Sequence, residues 1–148
     1  MTSHTLIKLC AIMASWSHPD LTGQEEAEAV CVEVGQAAKR HGVDVTSALA
    51  LAWSESRFTV DNTSTRGAKG PLQVIPKWWC EDRYNCDYTD AGIKALKAFS
   101  RLYPESFIET VCHYNSGVDR ECNDRSVSFA IFVTNLRKRV RRTARKIK

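Results

Sequence analysis

Apolar residues recur at helical spacing along almost the whole chain. Near its start they fall three or four positions apart, at Leu6, Leu9, Cys10, Met13 and Trp16. This spacing predicts a first helix that belongs to the domain. A signal peptide is the less favoured interpretation, because Lys8 interrupts the apolar run and no clear small-residue cleavage site follows. No segment alternates with period two, and no apolar run reaches the roughly eighteen residues of a membrane span.

Capping residues and helix breakers divide the remainder into further helices. Thr22 and Glu25 form a capping-box signature that opens a helix running to about His41, where Gly42 stops it. Asp44 is placed to cap the next helix. The other predicted helical segments are 45–56, a short one after Pro76, 90–103, 106–114 and 126–140. Residues 59–73 are too rich in Thr, Asn, Ser and Gly for regular structure and predict an irregular loop.

The cysteines predict disulfide bonds and an oxidising compartment. Their number is six, there is no Cys-x-x-Cys, and the histidines make no zinc-ligand spacing with them, so no metal site is expected. Fifteen pairings of six cysteines are possible. The pairing expected from loop lengths is Cys80–Cys86, Cys112–Cys122 and Cys10–Cys31, the last joining the first two helices. Free buried thiols in a cytosolic protein are the alternative.

Charge is distributed unevenly along the chain. Residues 137–148 hold eight of the 21 basic residues and no acidic one, which leaves 13 basic and 17 acidic residues in the rest. Such a basic helix or tail can steer a protein to an anionic envelope surface or to nucleic acid. It can equally be a solvated helix end whose cations interact favourably with the helix dipole.

Glu55 lies at the end of an apolar helical run. It shares a helical face with Leu51 and Ala52, and that face is the apolar one. Partial burial and the negative end of the helix dipole both raise the pKa of a carboxyl group at such a position. A carboxyl that stays protonated near neutral pH is what a general acid requires. The alternative is a glutamate that turns out to water or pairs with Arg57.

Three motifs surround this glutamate. Glu55 and Ser56 end the helix, residues 64–73 read STRGAKGPLQ, and residues 113–117 read HYNSG. These segments resemble the motifs of the lytic transglycosylases, lysozyme-like enzymes that cleave bacterial peptidoglycan: Glu-Ser, Ser-x-x-Gly-Ala-x-Gly-x-x-Gln and Ala-Tyr-Asn-Ala-Gly. The second motif is met at every fixed position, and the third at its Tyr, Asn and final Gly. The resemblance covers residues 43–117.

The resemblance implies a mainly α, lysozyme-like single domain over residues 1–148, with roughly six to eight helices around a glycan-binding cleft. Its motif core would be residues 43–117, with the basic helix or tail at 137–148. It implies Glu55 as the catalytic residue and peptidoglycan glycan strands as the partner of a monomeric enzyme. No metal or other cofactor is expected.

The resemblance also implies the substrate-binding residues. Ser64 would hydrogen-bond near the acetamido group of the substrate, Gln73 and Asn115 would offer amides to the glycan, and Tyr114 would pack near the acid. Each has a structural alternative. Ser64 can cap a turn, Tyr114 can be a core aromatic with a satisfied hydroxyl, and Asn115 can be a helix C-cap.

Other features near the motifs leave alternatives open. Trp78 and Trp79 can stack on sugar rings, although packing is the expected role of at least one. The sequence departs from the family pattern twice. Pro71-Leu72 stands where Leu-Met is more usual and would change one wall of the groove. His113 replaces a small residue and would put a titratable ring beside the site.

The solitary acid indicates the reaction. Many glycosidases use a second carboxylate, but none lies between Asp61 and Glu81. The resemblance implies cleavage of the β-1,4 bond between N-acetylmuramic acid and N-acetylglucosamine without water. Glu55 protonates the leaving oxygen, and the 6-hydroxyl of the muramic ring then closes a 1,6-anhydro sugar.

Two other functions remain open. One is a goose-type-like muramidase, a hydrolase on the same scaffold, in which a distant acid such as Glu81, Asp82 or Asp87 positions water. The other is a non-catalytic protein that binds or assembles at the cell wall. All three hypotheses place the protein in a periplasm, outside the cell or on a virion, acting on the bacterial wall.

Overall fold

The structure is a computed structural model that describes residues 1–117 and 121–148. Over these residues the chain forms seven α-helices. They are α1 (Ser3–Ser15), α2 (Leu21–Arg40), α3 (Val45–Ser56), α4 (Pro76–Trp79), α5 (Tyr88–Leu102), α6 (Phe107–Ser116) and α7 (Asp124–Arg145). The described part contains no β-strand, only isolated bridges that pair Lys69 with Thr63 and Val74. The mainly α prediction is therefore confirmed.

The helix starts are set by side-chain caps, and two differ from the predicted ones. Asp20, not Thr22, caps α2, since its carboxylate accepts the Gly23 N–H at 2.7 Å. The helix α5 begins at Tyr88 because Asp87 accepts the Asp90 N–H at 3.0 Å. In both helices the N-cap is an aspartate two or three residues before the predicted start. The predicted Asp44 cap of α3 is confirmed, with Ser47 as donor.

The helix α3 runs through the centre of the core. Residues 48–52 in its middle are all fully buried. It packs between α2 and α7, while α6 lies against α5 and α7. A helix that is apolar on all sides needs such neighbours to cover it. The consequence is that the end of α3, with Glu55, is held in a fixed place by the core.

All three expected disulfides are present. Cys10–Cys31 joins α1 to α2, Cys80–Cys86 closes the loop after α4, and Cys112–Cys122 joins α6 to the segment before α7. No cysteine is free. The cross-links lie on the elements that flank α3 and the loop beyond it, where they restrict the unfolded chain.

The basic segment continues α7 and is partly used inside the fold. The guanidinium of Arg137 lies 3.7 Å from the Phe107 ring, and Arg139 lies 3.9 Å from the ring of Trp16. Arg141 pairs with Asp44 at 3.2 Å. These contacts attach α7 to three other parts of the domain, which favours a structural role for these arginines. No helix among the described residues is long and apolar enough to cross a membrane.

Candidate active site

The helix α3 ends abruptly just after Glu55. Arg57 and Phe58 both adopt left-handed backbone conformations, with φ of 54° and 61°. Such conformations cost side-chain-bearing residues energy. Packing offsets this cost, since Phe58 is 2% exposed and the Arg57 guanidinium lies 3.7 Å from the centre of the Trp53 ring. Arg57 also donates to the Trp53 carbonyl at 2.9 Å. It therefore does not pair with Glu55, and that alternative is wrong.

Glu55 is a partly buried carboxyl in the last turn of α3. Burial raises its pKa from 4.5 to about 8, so the group is protonated at neutral pH. Within the described part of the chain the carboxyl forms neither a hydrogen bond nor an ion pair. The carboxyl group of Glu55 is thus protonated and has no protein partner, as is required of a group that donates its proton to a ligand.

Ser56 connects the end of α3 to the loop that follows. Its side chain is buried, and its hydroxyl donates to the Pro71 carbonyl at 2.8 Å. It also lies 3.1 Å from the Ala52 carbonyl one turn earlier. The hydroxyl of the residue next to the acid therefore fixes the distance between Glu55 and residues 71–73.

We expect Ser56→Ala to destabilise the protein by about 1–3 kcal/mol, because the buried Pro71 carbonyl loses its partner. Ser54→Ala is the matched control, since the Ser54 hydroxyl bonds only to the Ala50 carbonyl of its own helix. Urea unfolding of both variants gives the two free energies. Equal losses would contradict a special role for Ser56.

Ser64 organises the loop between α3 and α4. Its hydroxyl accepts the N–H groups of Ala68 at 3.0 Å and Arg66 at 3.3 Å, and its own N–H donates to the Ala68 carbonyl at 2.9 Å. These are the contacts of the turn-capping alternative. The hydroxyl hydrogen has no acceptor among the described residues, so Ser64 keeps one donor.

Gln73 holds the loop closed with its amide nitrogen. Its backbone is left-handed, with φ of 52°, and its Nε2 donates to the carbonyls of Asn62 at 2.7 Å and Gly70 at 2.9 Å. Both amide hydrogens are thereby used. What Gln73 still offers to a ligand is its side-chain oxygen, an acceptor.

Tyr114 connects α6 to the same loop. Its hydroxyl donates to the Leu72 carbonyl at 2.5 Å, and its ring lies edge-on to Phe99 at 5.8 Å. Burial, with a smaller contribution from the charge of Glu55, raises the pKa of Tyr114 well above its ordinary value.

Asn115 is exposed in the last turn of α6. Its side-chain oxygen accepts the Ser126 hydroxyl of α7 at 2.8 Å, which leaves the amide hydrogens as donors. The helix ends with Gly117 as its C-cap, so the alternative role of Asn115 as a helix C-cap is wrong.

A cavity of about 730 Å³ opens beside Tyr114, and we call it the Tyr114 cavity. Its lining residues are Arg66, Gln73, Val74, Ile75, Trp78, Trp79, Phe99, Tyr114, Asn115, Ser116 and Gly117. Three of the five predicted site residues are in this set, and Glu55 and Ser64 are not. The size is that of a small-molecule or oligosaccharide site. None of these lining residues is acidic.

The two tryptophans of α4 have different positions. Trp78 is 70% exposed at the cavity, while Trp79 packs on Phe99 with ring centres 5.9 Å apart. Packing is thus the role of Trp79, as expected for at least one of the pair. Trp78 leaves an aromatic face open to solvent.

The two departures from the family motifs lie away from the cavity. Pro71 and Leu72 are buried, so they do not form a groove wall, and that expectation is wrong. His113 stacks on Tyr103 at 4.3 Å and borders a second cavity of about 370 Å³ with Glu109 and Glu121. The expected titratable ring beside the site is not found at the Tyr114 cavity, because successive residues of a helix point in different directions and His113 is absent from the cavity lining.

The fold and the arrangement around Glu55 define an all-α domain of the lysozyme-like class. The family model described as Transglycosylase SLT domain matches residues 33–128, and the chain belongs to that family. The match extends beyond the motif segment at both ends, into α2 and α7. It supports a transglycosylase-type lytic activity on peptidoglycan, as the motifs indicate. No curated protein and no solved structure matches the chain.

Proposed function

We propose that the protein is a peptidoglycan lytic transglycosylase with Glu55 as general acid and then base. In the first step Glu55 gives its proton to the glycosidic oxygen while the bond from that oxygen to C1 of N-acetylmuramic acid breaks. In the second step the 6-hydroxyl oxygen bonds to C1, and its proton returns to the Glu55 carboxylate. The products are an N-acetylglucosamine end and a 1,6-anhydromuramic end, with no water consumed.

The observation that carries this proposal is the partly buried Glu55 at the end of α3, whose carboxyl has no hydrogen-bond or ion-pair partner among the described residues. Because the pKa of Glu55 is raised to about 8, its carboxyl group still carries the proton at neutral pH. No carboxylate lines the Tyr114 cavity, so none of its lining residues is placed to activate water. A mechanism with one acid and an internal nucleophile fits this combination.

The remaining predicted residues would bind the glycan in complementary ways. Asn115 offers amide hydrogens, Gln73 offers a carbonyl oxygen, and Ser64 keeps a hydroxyl hydrogen. Tyr114 would serve through its ring, because its hydroxyl proton is engaged by Leu72. Trp78 presents a face on which a sugar ring can stack.

The second candidate is the hydrolase, and the products separate the two. Purified sacculi are digested in water enriched in oxygen-18 and analysed by mass spectrometry. The lyase gives anhydro ends without the label, whereas a muramidase gives reducing ends that carry it. Glu81, Asp82 and Asp87 are exposed to solvent, whereas Glu55 is partly buried, which favours Glu55 as the acid.

The pH dependence follows from the acid. Since Glu55 acts in its protonated form and its pKa is raised to about 8, we expect the rate on soluble glycan strands to fall as the pH rises through about 8. The fall of the rate with pH should fit the titration of a single group. A rate that instead declined near pH 4.5, the ordinary value for a glutamate, would show that Glu55 is not the desolvated acid of the proposal.

We further propose a cell-wall setting, in a periplasm, outside the cell or on a virion, for a monomeric enzyme. The three disulfides support an oxidising compartment. If the basic segment 137–148 binds an anionic envelope or nucleic acid, it would do so through its basic residues other than Arg137, Arg139 and Arg141, which contact other parts of the domain. A purely wall-binding protein without catalysis would bind purified sacculi but release no soluble fragments from them.

A further inference from the structure

The Tyr114 cavity carries one formal charge, and the proposed reaction does not use it. Of its eleven lining residues only Arg66 has a charged side chain. The other polar groups of the lining are neutral amides and hydroxyls, which suit the hydroxyl and acetamido groups of a sugar. A guanidinium is not needed for an uncharged glycan, so a different part of the ligand is indicated.

Arg66 stands on a backbone that the loop holds in place. Its N–H donates to the Ser64 hydroxyl at 3.3 Å, and the flanking turn is closed by the hydrogen bond from Ser64 to the Ala68 carbonyl at 2.9 Å. Gly67, next along, takes the left-handed φ of 82° that the turn requires. In the described structure the guanidinium itself forms no hydrogen bond and no ion pair. It is presented at the cavity with all its donors available.

The surroundings keep this charge uncompensated. The ammonium of Lys69 lies 5.9 Å from the Tyr88 ring and that of Lys77 4.9 Å from the ring of Trp78, so two more cations are close to the loop and the cavity edge. No acidic side chain lines the cavity. Outside the basic segment 137–148 the chain has more acidic than basic residues, which makes a positive cavity a local exception.

The sugar rings of peptidoglycan are uncharged, and its carboxylates are on the substituent of muramic acid. That substituent is a lactyl ether, which either carries a free carboxylate or is joined by an amide to a stem peptide with carboxylates of its own. A guanidinium binds a carboxylate through two parallel hydrogen bonds. We propose that Arg66 is a specificity residue that binds a carboxylate of this lactyl–peptide substituent. The inference rests on the proposed function and adds the substrate feature that the enzyme selects.

The test measures binding as well as turnover. Arg66→Gln is made in the Glu55→Gln background, and calorimetry follows three oligosaccharides: muramyl strands with stem peptides, the same strands after removal of the peptides by an amidase, and neutral N-acetylglucosamine oligomers. We expect the affinity for at least one muramyl ligand to fall roughly tenfold, with the neutral oligomer unaffected. Arg101→Gln removes the same charge from the exposed end of α5 and should change nothing.

The outcomes separate the two sources of the carboxylate. A loss confined to peptide-bearing strands assigns Arg66 to the peptide, and a loss confined to amidase-treated strands assigns it to the lactyl group. Equal losses for all three ligands, or no loss for any, would overturn the inference. Anhydro products from the wild-type enzyme test the proposed function separately, since their formation is measured with Arg66 in place and requires the Glu55 proton.

Discussion

Replacing Glu55 with glutamine is expected to reduce lysis of purified sacculi by about 10²- to 10⁴-fold, the usual contribution of a general acid. The amide has nearly the shape of the protonated carboxyl, so the cavity and the core should be preserved. What is lost is the proton that makes the glycosidic oxygen a leaving group. The measurement is the initial rate of turbidity loss, with anhydro ends counted by mass spectrometry.

Two controls accompany this variant. Glu26→Gln, at an exposed position of α2, should leave the rate unchanged. The second control is stability against pH. The folded state holds the Glu55 proton up to about pH 8 while the unfolded chain releases it near 4.5, so the wild type should lose stability relative to Glu55→Gln between these values. Unchanged lysis by Glu55→Gln would refute the mechanism, whereas a wild type that binds sacculi without lysing them would favour a wall-binding protein.

Replacing Gly70 with alanine is expected to cost about 2–4 kcal/mol of unfolding free energy. Its φ is 80°, where a side chain is strained by about 1 kcal/mol or more. An added Cβ would also lie 2.5 Å from the Cβ of Tyr88 at the start of α5, and such overpacking costs about 1–3 kcal/mol. Because the Gly70 carbonyl accepts from Gln73, the same shift should lower activity.

Gly67 provides the matched comparison in the same loop. Its φ of 82° is almost the same, but a Cβ there would meet nothing within 4 Å. Gly67→Ala should therefore show the backbone strain alone, about 1 kcal/mol. Urea unfolding with a constant slope separates the two variants. Similar losses for both would mean that the contact with Tyr88 relaxes at little cost.

Much of the fold could be predicted from local signals. The bounds of α3 follow from the Asp44 cap and the apolar run, and the three disulfides follow from short loops and from the pairing of the first two helices. The start of α2 was missed because Asp20 lies just upstream of the apparent capping box at Thr22. Competing caps a few residues apart differ by little free energy, so local sequence does not rank them.

The loop of the site was only partly predictable. The motif identified Ser64 and Gln73 as candidate residues. It did not indicate that the Ser64 hydroxyl would accept N–H groups of the loop. Nor did it indicate that Gln73 would donate both of its amide hydrogens to backbone carbonyls. The structural role of Ser56 and the role that we propose for Arg66 were missed. Ser56 appeared only as the second residue of the Glu-Ser motif. Arg66 occupies a variable position of the second motif, residues 64–73, where any residue type matches the pattern.

By itself the sequence predicted most of the helices, the pairing of the cysteines and Glu55 as the candidate acid, since these predictions depend on spacing, caps and chemical type within short segments. The tertiary structure decided which groups remain available to a ligand. The hydroxyl of Tyr114 bonds to a carbonyl 42 positions earlier, and His113 is turned to another cavity. Such outcomes depend on how α3, α6 and the loop between α3 and α4 pack together. A contact between segments that are distant in sequence does not change the spacing of apolar residues within either segment, so the sequence pattern does not indicate it.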